Sequence, residues 1–68
     1  MFKLSEKGED LAQDPHAVRD TDYRIASYMF MRVKPVELDD ILDETHLSDE
    51  MGLKVMTRMV NGGYVEEM

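Results

Sequence analysis

The chain has no cysteine, and in only 68 residues that removes a good deal. A chain this short buries only ~60% of the surface its unfolded form exposes. Without thiols, neither a disulfide framework nor a thiolate zinc site can reinforce so thin a core. Association with a second copy is then a natural way to gain burial. Long apolar runs are missing too. No stretch approaches a membrane span, and the opening residues, MFKLSEKGED, lack the apolar segment of a signal peptide. The expectation is a cytoplasmic protein with no membrane attachment. No repeat, low-complexity tract or linker interrupts residues 1–68, which read as a single domain.

The materials of catalysis are sparse as well. His16 and His46 are the only histidines, far apart, with no nucleophile or Gly-rich phosphate loop beside them. The acid-rich run 37–50 lacks the D-x-[DN]-x-[DN]-G spacing of a calcium loop and reads as a solvated helix face. No enzymatic activity, no metal and no cofactor are expected.

Positive charge is the third shortage, and it is uneven. Residues 1–34 balance six acids with six bases, whereas residues 35–68 hold nine acids against Lys54 and Arg58 alone. The second half therefore carries the chain's entire net charge of −7. Such a surface repels phosphate backbones, anionic membranes and other polyanions at ordinary salt.

What is present reads as helices around a small sheet. Phe2-Lys3-Leu4 alternates like a short edge strand, Ser5 is a good N-cap, and residues 6–13 form a helix with Leu11 and Ala12 inward. Gly8 weakens that helix by roughly 1 kcal/mol relative to Ala. Asp14-Pro15 breaks it, and His16 to Arg19 reads as one further turn that sends Val18 to the core. Asp20 or Thr21 then caps a helix from Tyr23 to about Val33. Its apolar line is Ile25, Met29 and Val33, flanked by Ala26 and Tyr28. Phe30 and Met31 lie off that line, so this helix is apolar on more than one side.

Pro35 suits the first position of the next helix, with Leu38, Ile41 and Leu42 inward. Thr45-His46-Leu47 makes a turn plugged by Leu47, and Ser48 caps a last helix through Asn61 with Asp49 and Glu50 in its first turn. Val55, Met56, Met59 and Val60 form its buried face, and Asn61-Gly62-Gly63 stops it. Tyr64-Val65-Glu66 closes the chain as a strand whose only available partner is Phe2–Leu4.

Pro35–Met68 resembles the winged-helix transcription regulators of archaea and bacteria, the broad group holding the multiple-antibiotic-resistance and arsenic-repressor types. Those proteins show a helix, a tight turn ending in Leu-Ser, a recognition helix with an apolar pair late in it, and then Gly-Tyr-Val entering the wing. The matching residues are Leu38, Ile41 and Leu42; Leu47-Ser48; Val55, Met56, Met59 and Val60; and Gly63-Tyr64-Val65-Glu66-Glu67. Arg24 to Val33 is similar to the helix before that motif. Phe2 to Leu11 resembles the segment that follows the wing, here placed ahead of the motif. The resemblance implies a mainly α, winged-helix-like helix-turn-helix domain with strand 2–4 pairing with strand 64–66.

The resemblance further implies that helix 48–61 meets double-stranded DNA through Ser48, Lys54, Thr57 and Arg58, in a transcriptional regulator acting as a homodimer. Lys54 and Arg58, four apart, share one face and can reach a phosphate or a guanine edge. Asp49 and Glu50 occupy the end that enters the groove, where carboxylates repel the backbone; first-turn acids that favour the helix dipole are the better account of them. High intracellular salt reconciles the acidity with DNA, since charges are screened within ~3 Å at 1 M. The other reading is an acidic protein–protein interaction module on the same fold, with Phe30, Met31, Met51 and Leu53 as its contact surface.

Overall fold

The fold is organised by a joint between the two ends of the chain. The computed structural model describes residues 1–32 and 34–68; Val33, expected at the end of the apolar line through Ile25 and Met29, lies outside the described residues. The order is β1 (Phe2–Leu4), α1 (Glu6–Ala12), a 3-10 turn (Pro15–Ala17), α2 (Thr21–Met31), α3 (Leu38–Thr45), α4 (Asp49–Asn61) and β2 (Val65–Glu67). The protein is thus mainly helical, with a two-stranded antiparallel sheet.

β1 and β2 pair in the register Phe2↔Glu67, Lys3↔Glu66 and Leu4↔Val65, and the Met68 N–H reaches the Met1 carbonyl at 2.9 Å. The alternating pattern of Phe2-Lys3-Leu4 therefore does find its partner in the C-terminal strand. That strand runs 65–67 rather than 64–66. Tyr64 is withheld because its N–H closes α4, bonding the Met59 carbonyl at 2.9 Å, while the Gly63 N–H bonds Val60 at 3.1 Å. This is the two-bond helix ending that needs a left-handed residue, and Gly63 supplies it at φ 81°.

The start of α1 fits against this ending. Successive carbonyls of Gly62, Gly63 and Tyr64 accept from Lys7 Nζ (2.8 Å), Ser5 Oγ (2.5 Å) and the Ser5 N–H (3.0 Å). The Lys7 ammonium also lies 4.5 Å from the Tyr64 ring centre and places a cation at the negative end of α4. Ser5 meanwhile caps α1 as expected, its hydroxyl accepting from the Gly8 N–H at 3.1 Å.

Two elements differ from expectation. Pro35 does not open α3, which starts at Leu38. The intervening Val36 is drawn into a bridge with Phe2, exchanging N–H···O bonds of 2.8 and 2.9 Å, and is buried. β1 thus lies between Val36 and β2. Val18 is 52% exposed rather than in the core. The turn after Asp14 is 3-10 rather than α, so Ala17 is the residue directed inward.

α2 is the central helix, packed against α1, α3, α4 and β1. Its Ile25, Ala26 and Met29 join Ile41, Val55, Met56, Met59 and Val65 in one core, with Leu38, Leu47 and Val60 partly buried against it. Each fully buried side chain of this size stabilises by roughly 1.5–3 kcal/mol. α3 ends with His46 in the left-handed region at φ 58°, the Leu47 N–H bonding the Leu42 carbonyl at 3.2 Å. The buried Thr45 hydroxyl is satisfied by the Ile41 carbonyl at 2.6 Å. Among the described residues, no helix is long and apolar enough to cross a membrane.

Candidate nucleic-acid or protein interface on α4

The outer face of α4 is the candidate site, and its geometry begins with its cap. Ser48 is exposed and accepts from the Met51 N–H at 3.2 Å, so its oxygen is spent on the helix terminus. Asp49 and Glu50 follow as exposed first-turn acids. The turn from Thr45 to Ser48 sets the angle at which α4 leaves α3. It is drawn close because Gly52 has no Cβ, a position where one would meet Leu42 Cδ2 at 1.8 Å.

Lys54, Thr57 and Arg58 are all exposed on α4, together with Met51 and Leu53. The two bases are not equivalent. Among the described residues Lys54 makes no ion pair, whereas Arg58 is held by Asp22 in the first turn of α2. Its Nε donates to Oδ2 at 3.4 Å and its Nη2 donates to Oδ1. This hydrogen bond first, then the Asp22 charge, and to a lesser degree the Asp20 charge, raise the Arg58 pKa above its ordinary value. Stability from a raised base is fully present below its unfolded pKa and is lost only as pH rises through the folded value. For a guanidinium that lies beyond any working pH, so salt and substitution are the levers here.

Leu53 and Thr57 do not sit on an open polar surface. With Phe2, Leu38, Met56 and Val60 they line an open groove of about 350 Å³ between α4, the start of α3 and the sheet, with Asn61 and Glu67 at its rim. The four apolar contact candidates share no hollow. Phe30 lines a cleft with Lys3, Arg32 and Lys34, and Met31 lines another hollow between α2 and α3. Leu53 belongs to the α4 groove, and Met51 lines none of the three.

Sequence reasoning missed Asp22 and the groove-lining Phe2. Asp22 and Arg58 are 36 residues apart, and no local spacing signals a pair created by the packing of α2 on α4. Among the described residues, no three His, Asp or Glu side chains converge in a way that could hold a metal ion. In comparison with known proteins, no family model matches the chain, and neither a curated protein nor a solved structure matches it significantly.

Proposed function

We propose that the chain is a winged-helix-like helix-turn-helix domain that binds duplex DNA as a transcriptional regulator, with α4 as its recognition helix. The observation that carries this reading is the arrangement around α4. A tight turn leads from α3 into a Ser48-capped helix that exposes Lys54 and Thr57. The strand leaving that helix is seated beside β1. α2 precedes the pair in sequence and packs against both helices. An exposed ion pair is weak and exchangeable, so a phosphate can replace Asp22 on Arg58. One module with two useful bases binds weakly, and dimerisation is part of the proposal.

A specific observation favours a second reading, the protein-interaction module. Arg58 is already engaged, nine acids crowd residues 35–68, and the groove beside α4 is apolar where a phosphate-binding surface is polar and basic. Anisotropy titrations against a pool of duplexes, from low to molar salt, separate the two. A regulator binds some sequence above background, loses binding in the Lys54→Ala/Arg58→Ala variant, and gains affinity in Asp22→Asn, which releases the guanidinium. Absence of binding at every salt concentration removes the regulator reading.

A further inference from the structure

We infer that the cleft between β1 and the end of α2 receives the start of α4 from a second copy of the chain. Met51 enters the hollow, and Asp49 and Glu50 meet Arg32 and Lys34 at its rim.

The cleft is made by the path of the chain. α2 ends at Met31, and the segment after it turns back so that Val36 can bridge Phe2. That return sets the exposed Arg32 and Lys34 beside Phe2 and Lys3 on an open cleft of about 340 Å³. Both phenylalanines of the chain and three of its eight bases line it, against one acid, Glu9. Phe30, 47% exposed, and the buried Met29 belong to its apolar wall. Among the described residues Arg32 and Lys34 form no ion pair, and Lys3 holds Glu66 in an exposed contact at 3.3 Å. Such a hollow, in a chain of net charge −7, suits a carboxylate carried next to an apolar group. A guanidinium can take that carboxylate in two parallel hydrogen bonds.

The chain itself carries the matching group. Asp49 and Glu50 are exposed in the first turn of α4, and neither forms an ion pair among the described residues. Met51 follows them, 48% exposed. Of the other exposed large apolar residues, Met1, Val18, Phe30, Met31 and Leu53 all stand within two residues of a base. Met68 also follows two acids, but Glu66 is held by Lys3 within the sheet. Methionine is unbranched, and its thioether packs well against aromatic edges such as that of Phe30. Met51 is exposed in its own chain, so the cleft it fills belongs to another copy. One copy gives its cleft and the other its α4, a heterologous contact. Phe30 and Met51 share no hollow because they lie on the two halves of one interface. The contact is small against the ~800 Å² per partner of a standard interface, and the association is reversible. It needs no duplex. It covers the end of α4 that the DNA reading sends into the groove, so it competes with DNA and is not the regulator's dimer.

Sedimentation equilibrium of the full chain over about 10 µM to 1 mM, near physiological ionic strength, tests the proposal. The expected result is a mass that rises reversibly above the monomer. Arg32→Glu/Lys34→Glu, which spoils the cleft, raises the dissociation constant at least about tenfold, as does Asp49→Asn/Glu50→Gln on α4. Mixing these two variants restores association, now as one-to-one complexes, because one retains its α4 and the other its cleft. Met51→Ser keeps every charge in place and weakens association about fivefold, whereas Leu53→Ser leaves it as in the parent. A chain monomeric throughout the range, or a mixture no tighter than either variant alone, overturns the proposal. So does association that Met51→Ser leaves unchanged.

Discussion

Ser5 and Ser48 do the same local work at opposite ends of the sequence. Each caps a helix by accepting from the N–H three residues on, and each is followed by a buried glycine, Gly8 and Gly52, where another segment comes close. The difference lies in what approaches. A Cβ at Gly8 would meet the Tyr64 carbonyl oxygen at 2.1 Å and Leu4 Cδ1 at 2.6 Å. The first of these is backbone, pinned because the same carbonyl accepts from the Ser5 N–H. At Gly52 the obstacle is one methyl of Leu42, the next atom being 3.2 Å away, and a leucine can change rotamer. The joint between the chain ends is thus fixed by main chain on both sides, while the α3–α4 corner is fixed by adjustable side chains.

The largest expected effect breaks the first joint. Gly8→Ala gains helix propensity but forces α1 off the carbonyl of Tyr64, and a net loss of about 3 kcal/mol is expected in urea unfolding. Next come the caps, which sharpen the contrast. Ser48→Ala removes one capping bond and costs about 1 kcal/mol, whereas Ser5→Ala also strips the Gly63 carbonyl of its donor and costs about 2 kcal/mol. Smallest is Gly52→Ala, expected within about 1 kcal/mol of the parent because the gain in helix propensity offsets a rotamer change in Leu42. Equal costs at Gly8 and Gly52 would show that both corners yield alike, and the distinction would be lost.

The same contrast explains what the amino-acid pattern made legible. Periodicity located α2, α3 and α4, because Ile25, Met29, Ile41, Val55, Met56 and Met59 recur at helical spacing and all are buried, while the Ser5 cap and the Asp14-Pro15 break bounded α1. Alternation in Phe2–Leu4 and the scarcity of strand candidates led to the pairing of the termini. Periodicity could not show that Val36 bridges Phe2, since a lone bridge has no repeat and Pro35 reads as a helix opener. Nor could it give the role of Gly8, which looks only like a weak helix residue until Tyr64 is placed beside it. At α4, exposure of Lys54, Thr57 and Leu53 followed from the wheel. The engagement of Arg58 by Asp22 and the groove under Leu53 arise from packing of elements distant in sequence, which one-dimensional patterns do not encode.

The pairing of Phe2 with Glu67 has a kinetic consequence. α1 packs extensively on α2, its neighbour in sequence, and that pair can condense early, but the sheet closes a loop of nearly the whole chain. For about 60 residues the length-dependent closure term is roughly 3.6 kcal/mol, and it is met before any strand contact is gained. The expectation is that the seam forms late in folding and opens early in unfolding, which refolding and unfolding rates of Ser5→Ala measure. Weakening it shortens the lifetime of the native state and leaves the refolding rate nearly unchanged.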